Sequence, residues 1–558
     1  MIKQFKILFS TSIFICLLLL VSSVNGQDGK LTKEVEVVRP YEPTISDAFK
    51  INMMPHVDDT TRIVPTFTYN IALRPTTIDF PVNPIPAARM VSEPLAKVHK
   101  GYIKGGFGNY NSPLGEVYFA NERSKGYSYG AYIKHRSSFG SVKLDNNEKV
   151  DAPFQTTQLS VFGKKIFERS VLSGQIGFEH FGYNFYGYDT IIDPLVAPPS
   201  NPDQMQRGIS IFGKYNSTHS DSTHLNYILQ AGFINFADKF SKEQNTFRLS
   251  ANADKFFKIE RVGGDISFTH HMKNSELDSV NNTIFGFSPW IGLFGKQWNV
   301  KAGVNFTLDA NRFGNNAYFY PIGQLSYDIV SHYVIPYFLF SGFLEDNNYS
   351  KILMENPWVN PGLNISNTNH KFIMLGGVKG NFNPRMAYNL CASFSLIDSM
   401  YFFVNQKVAA NNFLENSFGV AYDNLQHKRF MGELTIAPNN KIKLFFQAEY
   451  NVYTMQDIEK PWHKPDYIGR VAASYNIQNK ILLNAAFYME GKRFVQTSGT
   501  TYIEIDGLMD LNLGLEYRYN SRLSAFLNLN NLTGNRYHLW YLYPAQQFNM
   551  RLGLTYTF

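Results

Sequence analysis

The sequence predicts an all-β fold, a transmembrane antiparallel barrel of about 22 strands with a short N-terminal extension that is periplasmic or lumenal. Three observations predict it. Apolar and polar residues alternate with period two from Gly101 to Phe558, and a helical period is nowhere dominant. Charged residues make up only 17% of the 558 residues while aromatics reach 15%. A soluble chain carries charge nearer a quarter, whereas a barrel in lipid dilutes its apolar outer face with a polar interior. Finally, short and long joins alternate along the C-terminal part, as in outer-membrane barrels, whose short joins face the periplasm and whose long ones face the exterior.

The first residues read as a secretory signal over 1–26. Lys3 and Lys6 precede an apolar run, and Val24 and Gly26 place small residues at minus three and minus one of the cleavage point. Cys16 lies inside that run, so maturation leaves Cys391 alone and excludes an intramolecular disulfide. Residues 27–100 are of another character. Pro40, Pro43, Pro55, Pro65, Pro75, Pro81, Pro84, Pro86 and Pro94 punctuate them, a density that excludes a regular central sheet. Phe67, Tyr69, Ile71 and Leu73 alternate with polar or small neighbours and would be costly to leave in water. This segment is expected to act as a partial stopper in or under the lumen over 65–98, with the preceding residues free in the periplasm.

The barrel domain is expected over 101–558. Its short joins are read at Asn439 with Asn440, at Asn479 with Lys480 and at Asn520 with Ser521, turn formers followed directly by a new strand. Further short turns are expected near Ser124, Ile166, Ser217, Phe257, Lys296, Ser331 and Asn383. Two strands must then be long, over 386–405 and 413–437. An even strand number is what single-chain barrels of this kind require.

Alternation also assigns faces. Trp298, Val300, Ala302, Val304, Phe306 and Leu308 oppose Asn299, Lys301, Gly303, Asn305, Thr307 and Asp309. A Lys or Arg on the lipid side costs about 2–4 kcal/mol at the bilayer midplane. That cost sends Lys301, Asn305, Asp309, Glu449, Arg470, Glu516, Arg518 and Arg551 to the lumen, and makes outer-membrane lipid the partner of the opposite face. Tyr517, Tyr519, Tyr537, Trp540, Tyr541 and Tyr543 cluster near strand ends and fit interfacial aromatic girdles.

No catalytic signature is present. The pair His270 and His271 would point to opposite faces of a strand and cannot easily share an ion. Asp457, Glu459, His463 and Asp466 gather in one join rich in Pro and Trp, which reads as a folded exterior loop before it reads as a ligand site. No serine shows nucleophile-elbow spacing. The chain is therefore expected to be no enzyme and to need no cofactor or metal, and its net charge of +7 is spread too evenly to imply nucleic acid.

The end of the chain, from Leu529-Asn530-Asn531-Leu532-Thr533-Gly534-Asn535-Arg536-Tyr537 through Tyr543-Pro544 to Leu552-Gly553-Leu554-Thr555-Tyr556-Thr557-Phe558, resembles the closing strands of TonB-dependent-receptor barrels. Asn356-Pro357-Trp358-Val359-Asn360-Pro361-Gly362-Leu363 and Tyr102-Ile103-Lys104-Gly105-Gly106-Phe107-Gly108 are similar to the loop and first-strand patterns of a Bacteroidota branch of that family that lacks a full plug. The resemblance implies an outer-membrane protein with both termini periplasmic, and a terminal signal, Tyr556 and Phe558, read by the barrel-assembly machinery. It implies passage of a solute or macromolecule across the outer membrane, with an energy-coupling or other periplasmic protein met through residues 27–60. The short N-terminal extension departs from the family, and leaves a second reading open, a non-transporting barrel that scaffolds another envelope protein.

Overall fold

A computed structural model describes residues 99–558 except 122–123, 125, 189–201, 220–222, 275–280, 407–415 and 499–500. The expectations for residues 1–98, including the stopper, fall outside the described residues. Twenty-two antiparallel strands form one sheet that closes on itself. The first strand, Gly101–Gly108, pairs with Leu114–Asn121 on one side and with the last, Asn549–Thr557, on the other, in a register running from Tyr102 opposite Thr557 to Gly108 opposite Arg551. Closure leaves no strand edge, so every backbone polar group at membrane depth can be paired inside the wall.

Short turns come where the sequence places turn formers. The Asn439 side chain accepts the amides of Lys441 and Ile442, and Asn520 accepts those of Arg522 and Leu523. Asn383 accepts the amide of Arg385 in the same way. These Asx turns mimic a backbone turn and send the chain straight back. The two long strands are Met386–Gln406 and Ser417–Asn439. Those flanking the seam are short, Gly101–Gly108 and Asn549–Thr557.

The opposite rim differs from a simple row of long loops. Three of its joins are as tight as the turns at the other end: 109–113, 239–242 and 312–313. Each is closed locally, by left-handed Tyr110 and Asn111, by Asp238 accepting the amides of Phe240 and Lys242, and by Asn311 accepting the amide of Phe313 before Gly314 at φ +133°. The chain spends its length on that rim elsewhere, at 346–367, 456–466, 491–507 and 531–548.

One face of the wall is apolar and exposed, with Ile176, Leu249, Phe306, Leu308, Leu390, Leu552 and Leu554 prominent. At the seam Phe526 lies on the other face, and its ring occupies the space that Gly106 and Gly553 leave open; a Cβ on Gly106 would meet it at 2.8 Å. The Lys104 ammonium sits 4.6 Å from the centre of that ring.

Candidate functional site

The join 346–367 leaves the wall after Glu345, makes one short helix, Tyr349–Glu355, and returns at Thr368. Asn348 caps the helix by accepting the Lys351 amide at 3.0 Å. The segment Asp346-Asn347-Asn348 before the helix and Asn356-Pro357-Trp358 after it carry no strand alternation, only cap and turn formers, so the chain folds back on itself here.

Its contacts define where it lies. The Tyr183 hydroxyl, on the fifth strand, donates to the Pro357 carbonyl at 2.7 Å. Val359 forms a bridge with Phe418, on the sixteenth. These strands are eleven apart in a ring of twenty-two, yet Pro357 and Val359 are two residues apart, so the ends of opposite walls lean together on 346–367, which lies between them as a roof beam. The wall face that it touches is necessarily the inner one.

An arc of polar side chains on that face holds the beam. The Tyr349 hydroxyl donates to Asp238 at 2.6 Å, and its amide donates to Gln244 at 3.1 Å. His271, fully buried, is bonded at Nδ1 to the Thr246 hydroxyl and at Nε2 to Asp346, each at 2.8 Å. Arg248 reaches the same carboxylate at 3.3 Å. Asn367 donates to Asp309 at 2.9 Å and exchanges bonds with Asn282. Burial alone would raise the Asp346 carboxyl, but the His271 bond and the charges of Arg248 and Lys351 hold it below its ordinary value. Glu355 behaves alike, held down against burial by Lys464 at 3.0 Å and by the Tyr401 hydroxyl.

The other side of the beam is aromatic. Trp358 stacks on Tyr543 with ring centres 4.0 Å apart, and Tyr186 meets both edge-on. Tyr543 belongs to a hairpin, His538–Trp540 with Tyr543–Pro544, and its hydroxyl donates to the Asn416 carbonyl at 2.9 Å. Trp540 packs on Phe403, Phe418 and His463. Tyr183, Phe185, Phe236, Ile352, Leu353, Phe403 and Phe418 complete one buried cluster.

The residues expected in the lumen divide between beam and wall. Asp309 is buried under the beam, 2% exposed. Asn305 and Lys301 share its strand and parity; Asn305 accepts from Thr307, and the Lys301 ammonium lies 4.1 Å from the Trp290 ring. Glu449 accepts from Arg429 at 2.7 Å, and Arg470 donates to Gln447 at 2.8 Å, one network over neighbouring strands. Glu516 and Arg518 pair at 3.6 Å. Arg551 is buried beside the Ser112 carbonyl. Tyr556 and Phe558 are exposed, and the Phe558 main chain closes the seam: its amide donates to Gly101, and its carbonyl accepts from Lys100 and Gly101.

The girdle assignment needs correction at three positions. Tyr517 and Tyr519 are exposed and Tyr537 donates to Asp510 at 2.9 Å, but Tyr543 is 2% exposed, and Trp540 and Tyr541 pack into the same cluster. The join 531–548 turns Trp540, Tyr541 and Tyr543 into the aromatic cluster of the roof instead of toward headgroups. Sequence reasoning also missed Asp238, Gln244, His271 and Asp346. Their signal was present in uncharged polar residues, Gln204, Gln206, Gln244 and Thr246, at the ends of strands whose inner face should otherwise be wet.

His270 and His271 do point to opposite faces, His270 to Thr283 and His271 to the beam. Among the described residues no three His, Cys, Asp or Glu side chains converge as metal ligands.

No family model and no curated protein matches the sequence. Solved structures do match. The ferripyoverdine receptor of the outer membrane of Pseudomonas aeruginosa is 11% identical, with a TM-score of 0.62 over 82% of this chain and 72% of the receptor. The ferric-catecholate import receptor Fiu of E. coli K12 gives 10% and 0.62, over 83% and 82%. The FrpB iron transporter of Neisseria meningitidis gives 9% and 0.64, over 83% and 82%. The likeness is one of architecture at very low identity, and it shows that this chain has the closed 22-strand barrel fold of outer-membrane receptors.

Proposed function

We propose that the protein is an outer-membrane barrel that passes a solute, and that the roof formed by 346–367 and the aromatic hairpin closes its outer mouth between passages. The observation that carries this reading is the beam itself. A ring of twenty-two strands encloses more space than its own side chains can fill, and here the chain covers that space with loops. Two of the solved barrels of this fold are a ferric-catecholate import receptor and an iron transporter, so iron chelates are the first cargo to try. The polar inner wall, with Lys301, Asn305, Glu449, Arg470, Glu516, Arg518 and Arg551, supports transit of a hydrated solute. On this reading both termini lie in the periplasm, residues 27–60 meet an energy-coupling protein, residues 65–98 narrow the lumen from below, and Tyr556 and Phe558 serve assembly. The barrel conducts and does no covalent chemistry.

The test is electrical. Full-length protein in planar bilayers should show small, rare openings. Deleting residues 60–95 and replacing 348–365 by a short Gly-Ser linker should give a large, steady conductance and sensitise cells to large antibiotics. A doubly altered barrel that inserts yet conducts nothing new would count against passage. The polar anchoring of the beam then favours the second reading, a permanently roofed scaffold whose periplasmic mouth holds another envelope protein.

A further inference from the structure

The roof has two parts, and the structure treats them differently. The beam, 346–367, is bonded to the wall by side chains that are almost all satisfied: Asp346, Asn347, Tyr349, Lys351, Glu355 and Asn367 each have partners. Within it only Asn356 Nδ2 is buried with no hydrogen-bond partner. No described residue of the beam has positive φ.

The facing leaf is the hairpin His538–Trp540 with Tyr543–Pro544, seated on His463 and Arg493. His463 is 6% exposed, and neither ring nitrogen has a partner. Arg493 is 3% exposed; it donates to the Leu539 and His538 carbonyls, while its Nε makes no hydrogen bond and lies 3.9 Å from the Glu490 carboxylate. His538 Nε2 lacks a hydrogen bond as well, 3.4 Å from the Asp145 carboxylate. Buried polar atoms without partners are rare in settled packing, and water would satisfy each of these on exposure. Backbone strain falls on the same leaf. Leu542, at the hairpin turn, sits at φ +63°, and His463 at φ +58°, a region that costs an L side chain without a compensating local bond. Two independent features therefore mark one side of the Trp358–Tyr543 stack as the less stable.

We propose that the outer mouth opens by lifting the C-terminal leaf, 538–544 together with the His463 turn, away from Trp358, while the beam stays fixed to the wall. The Trp358–Tyr543 stack is the parting line. This deepens the passage reading and rests on it for its purpose, but the motion is measurable without any solute.

Hydrogen exchange on the full-length protein tests it. The Ala545 and His463 amides, bonded to the Tyr537 and Phe494 carbonyls, should exchange at least tenfold faster than those of Ile352 and Asn356 in the beam. Tyr543→Phe keeps the ring and removes the hydroxyl's bonds, to the Asn416 carbonyl and with the Gly187 backbone; it should speed leaf exchange about tenfold more and leave the beam unchanged. Equal rates in leaf and beam, a faster beam, or a beam accelerated by Tyr543→Phe would each overturn the proposal. Failure of passage itself would appear only in the conductance test, with the order of exchange rates intact.

Discussion

The Tyr349 hydroxyl donates to Asp238 at 2.6 Å, tying the helix of the beam to a strand end 111 residues away. Both groups are buried, and burial together with the Asp238 charge keeps the phenol from ionising at any ordinary pH. The other Asp238 oxygen is already taken by the amides of Phe240 and Lys242. The tyrosine is thus the partner of the remaining one.

Tyr349→Phe should strip that oxygen of its partner at nearly constant volume. Leaving a buried acceptor unpaired costs about 1–3 kcal/mol. The Ile352 and Asn356 amides should then exchange faster by a factor of roughly 5 to 150, while heat-modifiable migration of the barrel on gels stays as it was. Unchanged exchange would mean that the aromatic cluster alone holds the beam.

Acid should loosen the roof. Burial, with Arg493 and Lys464 nearby, lowers His463 to about 3, so the docked ring stays neutral where an undocked one would charge near its usual value of 6.5. The undocked leaf therefore takes up a proton that the docked leaf refuses. Docking is at full strength above pH 6.5 and weakens steadily as pH falls toward 3. Asp346 and Glu355, both held below their ordinary values, add a further loss at the acid end as they protonate. The fluorescence of Trp540 and Trp358 should report the change, and His463→Phe should flatten it between pH 6.5 and 4.

Deleting Phe558 should cut outer-membrane levels of the protein severalfold and leave precursor with periplasmic proteases. The deletion removes the last apolar ring and the three main-chain bonds at the seam with Lys100 and Gly101. Immunoblots of separated membranes would show it, and normal surface levels would mean that the terminal residue is dispensable for assembly.

Leu552→Arg should be poorly tolerated and Asn305→Arg well tolerated. Leu552 is 60% exposed on the apolar face near the middle of its strand, where an arginine costs about 2–4 kcal/mol. Asn305 shares the parity of Asp309, which is bonded to the beam, and belongs to the set expected to face the lumen. Urea unfolding of the two variants in lipid vesicles would compare the costs directly.

The wall was legible in the sequence because its rule is local. Period two, Asx turn formers such as Asn439 and Asn520, and the prohibition on charge in lipid act within a few residues, and together they yield the strands, the short turns and their number. The roof was not legible, because nothing local distinguishes a loop that folds inward from one that waves outside. Tyr543 and Trp540 have the composition of a girdle, and only the fold reveals that their neighbours are Trp358, Phe403 and Phe418. His271 illustrates the same limit. Its inward direction follows from alternation, but its partner Asp346 lies 75 residues on, in a loop without periodicity.

Both halves of the roof are covalently part of the wall, the beam through Glu345 and Thr368, the leaf through Asn530 and Asn549. Reclosing is then a unimolecular event, governed by a high effective concentration and indifferent to how many copies of anything else the cell makes. A detachable stopper can be titrated away, lost or outnumbered, whereas a tethered one leaks only in proportion to its own opening equilibrium. On the passage reading, the closing of the outer mouth is then a property inherited with the barrel itself, carried by two of its own loops.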